Sequence, residues 1–215
     1  NSLQDLKYAV NDAKSISDIA LEAKEKIFDD VEIIYLTDNQ VTKENIEQAF
    51  EKISKKHSDY TLEIFGEGAK RKELQEIIEK LGLSKRVSMP GYVRNIGDCI
   101  KNATLFVLSS NYEGMPNALM EAMALGLPCV STDCPCGGPK YLIQDGENGL
   151  LVPVGDCYKL AAAMDKMLSN PEFAYSLGNK ARGICDRLAP EKIYGQWEEY
   201  IKLIIGRVAQ NGGII

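Results

Sequence analysis

From residue 31 onward the chain alternates short apolar runs with longer stretches in which apolar residues recur every three or four positions. The runs at 31–36, 61–65, 87–89, 105–108, 129–132 and 149–152 have strand length and strand composition. The stretch 42–56 carries Ile46, Ala49, Phe50 and Ile53 at helical spacing behind Thr42, a residue suited to a helix N-cap. The stretch 70–81 sets Leu74, Ile77, Ile78 and Leu81 on one side and ends before Gly82. A further helix starts near Asn117. After Asp156, an N-cap candidate, the pattern turns wholly helical. One helix covers 157–168, a second opens at Pro171 and a third at Pro190. Strands separated by helices predict an α/β fold with a mainly parallel sheet covered on both faces and right-handed crossovers.

Three regions follow from this pattern. Residues 1–30 are polar and helix-permissive, without glycine or proline, and read as a helical linker or remnant. Residues 31–190 read as one α/β domain, and 191–215 as a C-terminal crossover helix and tail. The last helix carries an apolar face on Trp197, Ile201 and Ile204, fit either to reach another domain or to pack on its own. The start at Asn1 rather than Met reads as a piece of a longer protein.

Composition narrows the function. A chain of 215 residues, 45% hydrophobic and 26% charged, can bury a full core. Its net charge of −6 gives no bulk attraction to nucleic acid or anionic lipid. No apolar stretch is long enough to span a bilayer, and no secretory signal is visible. The six cysteines make no paired C-x-x-C knuckles, and His57 is the single histidine. The thiols therefore read as core or loop residues of a reducing, cytoplasmic protein, with no metal expected.

The chemistry concentrates where the apolar run Leu105–Leu108 enters Ser109-Ser110-Asn111-Tyr112-Glu113-Gly114-Met115-Pro116 and then a helix from Asn117. A helix N-terminus offers unpaired N–H groups and a favourable dipole for an anion. Glu113 in the loop and Glu121 in the helix flank that point, and carboxylates accept hydrogen bonds from sugar diols. A phosphorylated sugar suits the combination. Gly114, Met115, Pro116, Asn117 and Ala118 would line the phosphates, and the carboxylates would face sugar rings. Ligands of open parallel sheets lie beyond the strands' carboxyl ends. This brings in Gly66-Glu67-Gly68 after 61–65 and Gly91-Tyr92-Val93-Arg94 after 87–89.

The segment Glu113–Glu121 resembles the Glu-x7-Glu motif of the group 1, or family four, retaining glycosyltransferases that use nucleotide sugars. The segments 62–93 and 126–156 resemble the units before and after it in that family, so the likeness runs over roughly 31–205. It implies the Rossmann-like C-terminal, donor-binding domain of a GT-B enzyme, with a partner N-terminal domain elsewhere. It implies a UDP-sugar or GDP-sugar donor, a glycan or lipid-linked acceptor, no metal, and a cytoplasmic place, peripheral at the inner membrane face. The function implied is retaining hexosyl transfer in polysaccharide or glycolipid biosynthesis. By the same resemblance Glu113 contacts the donor sugar, Glu121 the ribose, Tyr92 and Val93 the base, and Gly66 and Gly68 lie near the nucleotide.

The sequence departs from the family pattern at two places. An arginine and a lysine after the first strand normally grip the diphosphate. Here Lys43 is the candidate lysine and catalytic cation, while Asp38 or Asn39 stands where the arginine belongs. Lys140-Tyr141 replaces a glutamate commonly found after the glycine-proline turn. A carboxylate beside a diphosphate opposes binding. The alternative is therefore a non-catalytic scaffold or regulatory module of glycosyltransferase ancestry.

Overall fold

The computed structural model describes residues 32–36, 56, 57 and 59–210. The helix expected over 42–56, the linker 1–30, and the residues Asp38, Asn39 and Lys43 lie essentially outside these. In chain order come β1 (Glu32–Leu36), β2 (Thr61–Phe65), α1 (Arg71–Lys80), β3 (Val87–Gly91), α2 (Ile96–Ile100), β4 (Leu105–Leu108) and α3 (Asn117–Leu125). Next are β5 (Cys129–Thr132), α4 (Gly138–Leu142), β6 (Leu150–Val152), α5 (Cys157–Leu168), α6 (Pro171–Ala181), α7 (Gly183–Arg187) and α8 (Pro190–Gln210). The strands form one sheet in the order β3-β2-β1-β4-β5-β6, and every pairing is parallel.

The period-two alternation of the strands divides the core into two halves, one on each face of the sheet. Leu105 and Val107 of β4, with Leu62 and Ile64 of β2, pack with Val130, α5 and α6 on one side. Phe106 and Leu108, with Phe65, pack with Cys129, α2 and α3 on the other. Leu105, Phe106 and Val107 are wholly buried, as a central strand with helices on both sides requires.

Helix ends follow the sequence signals. Asp156 caps α5 by accepting the Lys159 N–H at 2.9 Å, and Asn170 caps α6 ahead of Pro171. Gly82 takes a left-handed φ of 67° and closes α1, with its N–H on the Glu79 carbonyl and Leu83 N–H on that of Ile78. Two short helices, α2 and α7, were not anticipated, and β3 runs past Pro90. β3 is an edge strand, where proline is tolerated, and its register against β2 shifts between Glu63 and Phe65, beside Pro90. The apolar face of α8 is open. Trp197 is 57% exposed and Ile201 51%, so this face is not packed on the domain's own core.

Candidate functional site

The order of strands reverses at β1, which lies between β2 and β4. A crevice beyond the carboxyl ends of the strands is expected at such a switch point. A cavity of about 320 Å³ opens there, lined by residues that follow β2, β3 and β4. That volume is at the lower end of the range for small-molecule sites.

The β4–α3 loop is fastened on two sides. Within it, the Ser110 hydroxyl donates to Oε1 of Glu113 at 2.7 Å. From the next strand, the Thr132 hydroxyl donates to the Ser110 carbonyl. Ser110 and Thr132 are both buried. Beneath the loop runs the β5–α4 turn, where a methyl group placed on Gly138 would stand 1.7 Å from the Gly114 carbonyl oxygen. Only a glycine lets the two backbones approach so closely. Cys136 holds a φ of 72°, and its Sγ lies 2.8 Å from the Tyr112 hydroxyl, a contact that raises the Tyr112 pKa. Burial pushes the Cys134 thiol up, assisted by the Glu113 carboxylate, while backbone hydrogen bonds oppose the shift.

The loop delivers the chain to α3. Pro116 is its N-cap, with extended φ and ψ and no side-chain hydrogen bond to the first turn. The first amide groups of α3 therefore have no side-chain cap, and the dipole there is positive. Six of the nine residues of α3 are buried, and Glu121 is the one charged residue in it.

The β2 and β3 ends are tied together on the opposite wall. Gly66 N–H donates to the Gly91 carbonyl at 2.9 Å. Arg71 bridges Glu67 Oε1 at 3.0 Å and the Met89 carbonyl at 2.7 Å. Gly91 has a left-handed φ of 86°, and a methyl group there would lie 2.5 Å from Glu67 Oε1. Tyr92 follows, is 77% exposed and lines the cavity.

The cavity brings together Gly66, Tyr92, Val93, Glu113, Pro116, Asn117 and Ala118 of the sequence-derived candidates. Gly68, Gly114, Met115 and Glu121 do not line it. Gly68 instead lies in the turn before α1, its carbonyl accepting the Arg71 N–H at 3.1 Å, and Glu121 sits just over one turn into α3. Arg94 is exposed and is not in the lining. Phe65, Ile96, Leu108 and Ser110 line the cavity without having been anticipated. Phe65 and Leu108 are the last residues of their strands, which the strand-end rule could have supplied. Ser110 could have been found from its spacing, a hydroxyl three residues before an acidic loop residue. Among the described residues there is no cluster of histidine, cysteine, aspartate or glutamate fit to hold a metal, and no helix is long and apolar enough to cross a membrane.

Comparison with known proteins matches this geometry to a family. The model for glycosyl transferases group 1 matches residues 19–184. An exopolysaccharide phosphotransferase of Streptomyces coelicolor is 35% identical over 161 residues, covering 74% of this chain and 17% of its own length. A poly(ribitol-phosphate) alpha-N-acetylglucosaminyltransferase of Staphylococcus aureus is 30% identical over 148 residues, covering 68% and 30%. Among solved structures, a mutant of S. aureus TarM in complex with fondaparinux, alpha-GlcNAc-glycerol and UDP superposes with a TM-score of 0.73 at 26% identity, covering 81% of this chain and 36% of that one. The C-terminal domain of a group 1 glycosyl transferase (LpcC) from Francisella tularensis shares the fold, with a TM-score of 0.64 at 23% identity, covering 78% of this chain and 90% of that one. The chain thus spans well under half the length of the curated relatives it matches here. It belongs to the group 1 glycosyltransferases and corresponds to the C-terminal domain of their GT-B fold.

Proposed function

We propose that this domain binds a UDP-sugar and serves retaining transfer of its hexosyl unit to a glycan or lipid-linked acceptor. In this reading Tyr92, Val93 and Gly66 hold the uracil side. Glu121 accepts the ribose hydroxyls, and the amides opening α3 meet the diphosphate. Glu113 accepts hydroxyls of the sugar. As the bond from C1 to the phosphate oxygen breaks, its electron pair stays on the departing UDP, and fixed N–H dipoles at α3 stabilise the growing charge. Lys43, which follows the first strand in the sequence, would supply the cation for the diphosphate. The observation that carries the reading is the cavity itself. It joins three strand-end loops to a helix start with no side-chain cap and to a carboxylate held by hydrogen bond. The relatives whose names include UDP or N-acetylglucosaminyl transfer favour a UDP-sugar over a GDP-sugar.

The absence of an arginine at Asp38 or Asn39 favours the scaffold alternative, and one measurement separates the two. A thermal-shift screen against UDP-, GDP- and ADP-sugars reads native-state binding directly. The expected outcome is a rise in melting temperature with UDP-sugars above that with the others. No shift with any nucleotide sugar rejects donor binding and leaves the scaffold.

A further inference from the structure

We infer that Ser110 is a positioning residue that sets the Glu113 carboxylate for the donor sugar. The inference rests on the proposed UDP-sugar site and adds a residue that the Glu-x7-Glu motif does not contain. A glutamate on a loop has three side-chain torsions to fix before it can present a chosen oxygen to a ligand, and ordering each costs affinity. Here that order exists before the ligand arrives. Ser110 is 1% exposed, and its hydroxyl donates to Glu113 Oε1 at 2.7 Å, within the range of charge-assisted bonds.

Ser110 is itself held. Its carbonyl accepts the hydroxyl of Thr132, a buried residue at the end of β5, so the donor is anchored to the sheet rather than to the loop. A serine hydroxyl has one proton, and this geometry commits it to the carboxylate. With Oε1 engaged, Oε2 is the oxygen left to accept from a sugar diol. Ser110 and Glu113 both line the cavity, so the bond lies at its wall.

The test measures affinity of the full chain for UDP, UDP-glucose and UDP-N-acetylglucosamine by calorimetry, in wild type, Ser110→Ala and Ser110→Thr. Glu113→Gln serves as reference. Because Glu113 is assigned to the sugar and not the nucleotide, Ser110→Ala should weaken binding of the preferred UDP-sugar about tenfold, as loss of one charge-assisted bond predicts. UDP affinity should stay within about twofold. Ser110→Thr, which keeps the hydroxyl, should recover most of the loss. A purely structural role would lower UDP and UDP-sugar affinity together, or lower only the melting temperature. Either result overturns the inference, as does a Ser110→Ala protein with the wild-type preference. If wild type binds neither UDP nor UDP-sugar, the donor-site reading fails and the inference with it. If Glu113→Gln keeps wild-type sugar affinity while Ser110→Ala loses it, Ser110 acts by another route and the inference fails alone.

Discussion

Replacing Gly138 with alanine would test whether the β5–α4 turn sets the shape of the donor loop. The new methyl carbon would stand 1.7 Å from the Gly114 carbonyl oxygen, 2.8 Å from the Gly114 carbonyl carbon and 3.0 Å from Pro116 Cδ. Ordinary carbon–oxygen contacts need roughly 3.3 Å, so one backbone must retreat by about 1.5 Å. Neither can do so cheaply, because the obstructing atoms are main chain or proline ring. Overpacking of this kind costs about 1–3 kcal/mol, shared between lost stability and a displaced loop. Gly114 lies between Glu113 and the start of α3, so its movement shifts both the carboxylate and the amides. Misplacement of about 1 Å in a binding constellation is worth up to about a hundredfold. Calorimetry should therefore show UDP-sugar affinity reduced roughly 10- to 100-fold. Gly137→Ala is the control one residue away. Its added methyl meets nothing within 4 Å, but its φ of 75° is left-handed. That variant should lose about 1 kcal/mol of stability through the backbone alone and bind normally. A Gly138→Ala protein with wild-type melting temperature and affinity would refute the close approach of the two turns.

Two further outcomes follow from the same geometry. Glu121→Ala should weaken UDP binding by about 1–3 kcal/mol, roughly 5- to 150-fold, with the ratio of UDP-sugar to UDP affinity unchanged; equal UDP affinity in calorimetry would remove Glu121 from the ribose role. Asp165 accepts from Lys56 and His57, each at 2.7 Å, and from Ser169 at 3.1 Å. These bonds, with that from Lys56 the largest, lower its pKa from 3.8 to about 2. The folded-state value lies below the unfolded one, so the stabilisation is complete above about pH 4 and fades as pH falls toward 2. Asp165→Asn should cost about 1–2 kcal/mol at neutral pH, discounted because Lys56 is largely exposed. Melting curves against pH check this, and a gap that persists unchanged at pH 2 would contradict it.

The sequence was most legible where two signals coincided. β4 and β5 were bounded correctly because apolar runs meet serine, threonine and turn residues at both ends. Asp156, Pro171 and Gly82 marked helix ends because capping chemistry is local. β3 was cut short at Pro90, since a proline argues against a central strand and nothing in the sequence marks a strand as an edge. α2 escaped because five residues including Gly97 are too few to show a period. The open apolar face of α8 was undecidable from sequence, because helical spacing shows that a face exists and not what covers it.

The site was legible as chemistry but not as assembly, and the difference lies in strand register. Glu113 and the α3 start could be read from one short segment. The contacts that hold them, Thr132 on Ser110 and Gly138 on Gly114, join residues 22 and 24 positions apart. Those contacts exist because β4 and β5 are neighbours with Leu108 opposite Ser131, which sets Thr132 beside the residues leaving β4. A slip of one residue would turn the Thr132 hydroxyl to the other face and leave the Ser110 carbonyl without it. The core forbids that slip. Leu105 and Val107 serve one half and Phe106 and Leu108 the other, with helices on both, so a shifted strand would put each side chain into a space shaped for its neighbour. The buried strand therefore acts on function through its alignment. The same four apolar residues that hold the sheet together decide where the carboxylate of Glu113 stands.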